Sequence, residues 1–152
     1  MQDTKKTGWM HRAQYYETDQ MGIVHHSNYI RWFEEARTDY MRRIGYPYKR
    51  MEEEKIICPV LEVACKYRQM VHFEDEVCIE AKISAFNGVK LCMEYKIYDK
   101  QTQEVKTTGS SAHCFLDESG RPISLKRSHP AIYEVFLNAF YKDQEERQIT
   151  IK

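Results

Sequence analysis

The chain has 152 residues, 23 basic and 23 acidic side chains, and 42% hydrophobic residues. One domain of this length buries about two thirds of its unfolded surface, and balanced charge argues against a nucleic-acid surface. No apolar run approaches the ~18–20 residues of a membrane span, and Met1 to Lys6 lack the apolar core of a secretory leader. The expected location is therefore the cytoplasm. Two basic doublets, Lys49-Arg50 and Lys126-Arg127, have no interleaved aromatics of the single-strand-binding kind. Cys58, Cys65, Cys78, Cys92 and Cys114 are odd in number and show no C-x-x-C spacing, so they read as reduced, small core residues. No metal is expected: there is no clustered set of zinc ligands, and the adjacent His25-His26 pair diverges on a helix or a strand.

In chain order, Trp9, His11, Ala13 and Tyr15 alternate with Met10, Arg12, Gln14 and Tyr16, the pattern of a first strand. A turn carrying Asp19 and Gly22 follows. Ser27 then reads as an N-cap, and Tyr29, Phe33, Ala36, Tyr40 and Ile44 recur at helical spacing. Gly45, with Pro47 behind it, supplies the stop. The spacing predicts a helix from Ser27 to Ile44, about 27 Å long at ~1.5 Å per residue. Its apolar arc covers about half the circumference, which suits a helix largely wrapped by sheet. Arg31–Glu35 and Asp39–Arg43 are expected to pair on the polar side. Arg37, inside the apolar arc, either snorkels or pairs with a buried acid.

Tyr46 to Lys55 reads as a linker with room for one helical turn over Met51 to Glu54. From Ile57 the apolar period becomes two, through Leu61 to Tyr67, Val77 to Phe86, Val89 to Tyr98 and Glu104 to Leu116. Asn87-Gly88 marks a tight hairpin. Ser128 is expected to cap a C-terminal helix with Pro130 in its first turn, and the charged end, residues 142–152, is expected to fray. The whole chain, 1–152, reads as a single α+β domain: an antiparallel sheet of about five strands curled around one long central helix, with a C-terminal helix. Such a sheet leaves edges that dimerisation would cover.

Asp19 lies at the turn before the helix, seven residues ahead of His26. A helix N-terminus offers free N–H groups and the positive end of its dipole. A carbonyl oxygen gaining charge is stabilised there while a carboxylate attacks the carbonyl carbon or activates a water. Asp19 is thus either an Asx-turn residue that shapes the entry to the helix or the group that does chemistry.

The stretch Tyr16-x-Thr18-Asp19-x-x-Gly22-Ile23-Val24-x-His26-x-Asn28-Tyr29, followed by Arg31-Trp32-Phe33-Glu34-Glu35-Ala36-Arg37, resembles the hotdog-fold acyl-CoA thioesterases of the 4-hydroxybenzoyl-CoA thioesterase type. The resemblance extends more loosely over most of the chain. It implies hydrolysis of acyl-CoA to a free acid and CoA, with CoA as part of the substrate and no cofactor or metal. It implies a homodimer or homotetramer with active sites at subunit interfaces. Carried over by position, Asp19 matches the catalytic aspartate, as nucleophile or general base. His26 matches the residue whose backbone N–H polarises the thioester carbonyl, its side chain being either a participant or a bystander. Lys90 and Arg121 fall where basic residues meet CoA phosphates, or are solvated surface. Glu34 and Glu35 are expected on the polar side of the helix, away from the catalytic position that some hotdog thioesterases use. Hydrolysis of acyl groups on acyl carrier protein, and acyl-CoA binding without turnover, are the alternative readings.

Overall fold

The computed structural model describes residues 8–151; the expectations for Met1 to Lys6 and for Lys152 lie outside them. Strand β1 (Trp9–Arg12) leads into a single 3-10 turn (Tyr15–Glu17), then helix α1 (Ser27–Arg43) and the short helix α2 (Tyr48–Glu53). Strands β2 (Val60–Tyr67), β3 (Glu76–Phe86), β4 (Lys90–Asp99) and β5 (Val105–Cys114) follow, and helices α3 (Leu125–Ser128) and α4 (Pro130–Ile151) close the described chain. The strands form one five-stranded sheet in the order β1-β3-β4-β5-β2. β1 runs antiparallel to β3, with Trp9 opposite Ile79 and Arg12 opposite Glu76. The class is α+β. No helix among the described residues is long and apolar enough to cross a membrane.

Several boundaries differ from the sequence pattern. The first strand ends at Arg12, not Tyr16. The Glu17 carboxylate accepts the Gln14 N–H at 2.9 Å, which folds Tyr15–Glu17 into the 3-10 turn that a period-two pattern cannot reveal. Ser27 is the first residue of α1 and not its cap. Its N–H donates to Nδ1 of His25 at 3.2 Å, and the His25 carbonyl accepts the Asn28 N–H at 3.0 Å. Likewise Ser128 ends α3 instead of capping α4. The cysteines lie outside disulfides, but only Cys78 is buried.

By packing, the chain divides into two compact units. The first holds the described residues up to Arg37 together with Cys65–Ala81 and Tyr95–Gly109. Here Trp32, Phe33, Val77, Ile79 and Ile97 are buried. Phe33 stacks on Tyr95 with ring centroids 4.4 Å apart and planes 9° from parallel. Arg37 neither snorkels freely nor meets an acid: it donates to the Tyr95 hydroxyl at 3.0 Å. Glu35 does not take the expected partner Arg31. It accepts the Trp9 indole N–H at 2.7 Å and lies 3.1 Å from Nδ1 of His11, because β1 brings the indole and the imidazole to that side of the helix.

The second unit holds Thr38–Ala64, Lys82–Glu94 and the described residues from Ser110 onward. Phe86, Phe115 and Phe136 form a ring cluster with centroids 5.6–6.2 Å apart. Tyr46, in the segment read as a linker, packs on Phe136 and is buried. The expected fraying from Lys142 is corrected here. α4 stays helical, Asp143 is buried, and its Oδ2 accepts the Tyr40 hydroxyl at 2.5 Å and the Ile83 N–H at 2.8 Å. Burial, and then this bond to a carboxylate, push the Tyr40 phenol far above its ordinary value. Arg147 also pairs with Glu94.

β2 departs from the alternating pattern in another way. Nearly every residue along it is exposed, including Val60, Leu61, Val63 and Tyr67. It stands last in the strand order, with no described strand on its outer side.

Candidate active site

Asp19 sits at the tip of a small hairpin in which Thr18 and Val24 form an antiparallel bridge. Its N–H donates to the Ile23 carbonyl at 2.9 Å, and its carbonyl accepts the Gly22 N–H at 3.0 Å. Its Oδ1 accepts the Met21 N–H at 2.8 Å. One carboxylate oxygen therefore does make an Asx turn. Oδ2 has no partner among the described residues, and the side chain is half-exposed. The turn-shaping and chemical readings of Asp19 are compatible, since they use different oxygens. Gly22 completes the hairpin at φ +79°, and a Cβ there would meet no atom within 4 Å. The cost of Gly22→Ala is then purely conformational, about 1 kcal/mol. Urea unfolding is expected to show that loss alone.

The start of α1 disposes of its N–H groups one by one. His25 donates to the Glu17 carbonyl at 2.8 Å, and Asn28 to the His25 carbonyl. Ser27 is taken by the His25 ring. Among the described residues, the His26 N–H has no acceptor. The carbonyl of the same residue is held by the Tyr67 hydroxyl at 3.1 Å, so the peptide that follows is fixed as well. The exposed His26 ring stacks on His25 at 4.2 Å and meets the edge of Tyr67 at 6.1 Å. Asp19 and His26 thus belong to one hairpin-and-helix entry, although no hydrogen bond joins their side chains. Exposed Tyr15 and Met21 flank this entry, and Tyr15 packs edge-on against Phe73 at 5.7 Å. Tyr29 is buried below it, and burial raises its phenol to about 12.

The residue that sequence reasoning missed is Glu17, which occupies an unspecified position in the motif. It is 5% exposed. Its Oε1 accepts the Gln14 N–H and lies 2.9 Å from Nε2 of His11. Its Oε2 accepts the Trp32 indole N–H at 2.9 Å. Its backbone carbonyl takes both His25 N–H and the Asn28 side-chain amide, the latter at 2.9 Å. Burial alone would raise its pKa. The hydrogen bonds from His11, Gln14 and Trp32 outweigh that, and the carboxyl titrates below its ordinary value. One signal was available: Gln14-x-x-Glu17 has the spacing of a capping box.

Lys90 and Arg121 lie in the second unit, and both are exposed. Lys90 opens β4, where Asn87 Oδ1 accepts its N–H at 2.8 Å. Arg121 closes a loop: its carbonyl accepts the Asp117 N–H at 2.8 Å, and its N–H donates to Asp117 Oδ1 at 3.0 Å. The Asp117 carboxyl is held below its usual range by the Ser119 hydroxyl first, with the Arg121 N–H and charge adding to it. The two cations are not brought together by any contact. The hairpin before Lys90 instead meets the start of α3, where the Gly88 carbonyl accepts the Leu125 N–H at 2.9 Å, so Lys126 is the basic residue beside it. Glu35 serves β1 as described and is not at the helix entry. Among the described residues, no three His, Cys, Asp or Glu side chains converge as a metal-binding group.

Comparison with known proteins identifies the family and the fold. The model of the thioesterase-like superfamily matches residues 13–140. The Bacillus subtilis protein YneP is 34% identical over 119 residues, covering 78% of this chain and 86% of its own. The acyl-CoA thioester hydrolase YbgC of Escherichia coli O157:H7 is 25% identical over 79% of this chain and 90% of its own. Among solved structures, a DHNA-CoA thioesterase from Staphylococcus aureus superposes with a TM-score of 0.84 at 30% identity, over 91% of this chain and 93% of its own. The chain belongs to the thioesterase-like superfamily and has the hotdog fold of its members.

Proposed function

We propose that this protein hydrolyses acyl-CoA thioesters, with the acyl carbonyl oxygen on the His26 N–H and Asp19 as nucleophile or general base. The observation that carries the reading is that, among the described residues, the His26 N–H has no acceptor and shares its helix entry with a carboxylate that has one oxygen without a donor. A thioester needs only those two elements. The N–H stabilises the developing oxyanion, and loss of such a donor costs about 10²–10³ in rate. The carboxylate adds to the carbonyl carbon and expels the thiolate of CoA, leaving a mixed anhydride that water then hydrolyses, or it takes a proton from the water that adds, and the thiolate leaves from the tetrahedral adduct. Exposed Tyr15, Met21 and Phe73 offer apolar surface to the acyl group. Lys90 and Arg121 are candidates for the CoA phosphates. No cofactor is needed, because CoA arrives with the substrate. Cysteines outside disulfides suit a cytoplasmic location. Free-thiol release from short, medium, long and aromatic acyl-CoAs tests the reading.

We further propose a homodimer or homotetramer, with the active sites at subunit interfaces. The support is β2, a terminal strand with an open edge and exposed Leu61 and Val63, which a second copy would cover. Light scattering on the eluting protein is expected to give at least twice the 18.2 kDa chain mass. Leu61→Glu with Val63→Glu is expected to shift it toward one chain, while a wild-type monomer would sink the proposal.

A further inference from the structure

We infer that Glu17 is a positioning residue for the proposed hydrolysis, holding the peptide that presents the His26 N–H through its own carbonyl. The inference rests on the thioester reading above and adds a residue to it.

Two features separate Glu17 from an ordinary buried acid. First, its side chain is held from three directions, by the Gln14 backbone, the Trp32 indole and the His11 ring. His11 is itself tethered on its other nitrogen to Glu35 of α1. The imidazole thus lies between two acids, with one ring nitrogen within hydrogen-bond distance of each. The 3-10 turn is thereby fastened to the helix that follows it. Second, the rigid side chain fixes its own carbonyl, which accepts two donors from the helix entry, the His25 N–H and Nδ2 of Asn28. Capture of the His25 N–H makes its neighbour, at His26, the donor left over. The Glu17 peptide therefore selects which N–H faces the substrate, and the Asn28 amide sets its direction.

Glu17 touches neither substrate nor reacting atoms, so its effect must appear as misplacement. A displacement of about 1 Å in such a site costs on the order of 10²-fold in rate. The test uses Glu17→Gln, which keeps shape and removes charge, and Asn28→Asp, which turns the donor to the Glu17 carbonyl into an acceptor. Each is assayed for thiol release, for melting temperature, and for amide hydrogen exchange at His25. The expected result is a kcat about 10²-fold lower with KM little changed, together with faster exchange at His25, in protein that stays folded. Because Asn28→Asp leaves the buried carboxylate intact, it stands alone if Glu17→Gln does not fold. Wild-type kcat in the folded variants would overturn the inference, as would unchanged exchange at His25. If the wild type itself releases no thiol from any acyl-CoA, the thioester reading fails separately, and exchange at His25 still decides whether Glu17 holds the helix entry.

Discussion

Asp19→Asn is expected to lower thiol release by about 10²–10⁴-fold in a protein that remains folded. The substitution isolates chemistry from structure unusually well at this position. The bond that shapes the turn is accepted by Oδ1 from the Met21 N–H, and an asparagine carbonyl oxygen accepts it equally. The backbone bonds of Asp19 to Ile23 and Gly22 are untouched. What disappears is the negative charge on the second oxygen, which has no other partner among the described residues. Thiol release measured beside circular dichroism on the same samples checks the prediction. A large loss with a superimposable spectrum establishes Asp19 as the chemical group. Equal turnover would leave Asp19 as a turn residue only and move the chemistry elsewhere.

The largest stability effect is expected at Asp143. Asp143→Ala leaves the Ile83 N–H and the Tyr40 hydroxyl buried without their acceptor. Each orphaned group costs about 1–3 kcal/mol, so the pair loses on the order of 4 kcal/mol. In a chain of this size that lowers the melting temperature by roughly 10 °C. Asp143→Asn can set its carbonyl oxygen where Oδ2 stands, accepting both the Ile83 N–H and the Tyr40 hydroxyl, so it recovers a good part of the loss. Thermal melts of the two variants beside wild type test this. A melting temperature for Asp143→Ala within a degree or two of wild type would refute it.

The difference between these two positions shows what the sequence could reveal. The helix start, the acid-bearing turn and the four longer strands were legible because each is a local signal: a periodicity, a glycine or a spacing within a dozen residues. Family resemblance then assigned roles to Asp19 and His26 that the residues alone left open. Asp143 was hidden for a physical reason. It lies in a charged run that reads as a solvated end, and its partner Tyr40 is 103 positions away. Glu17 was hidden because its value lies in a backbone carbonyl and in ring N–H groups from β1 and α1, and no pattern along one segment encodes that. Ser27 misled in the opposite direction. It is a good cap by residue type, yet His25, two residues earlier, supplies the capping acceptor. Lys90 and Arg121 were matched by position in the chain, and the fold sets Lys126 against the hairpin before Lys90, with no contact joining Lys90 to Arg121.

The bond from Asp143 to the Ile83 N–H has one more consequence. Among the described residues, β1 pairs with β3 over four positions, from Arg12 with Glu76 to Trp9 with Ile79, and no described strand lies beside the outer side of β3 beyond them. A helical side chain there acts as a stand-in for a neighbouring strand. Asp143, in the late turns of α4, thus occupies a backbone donor of β3 that another strand could otherwise use to extend the sheet. Helix length in this protein is accordingly a property of colloidal behaviour as much as of folding, and trimming α4 ahead of Asp143 would trade a tidy end for a sticky one.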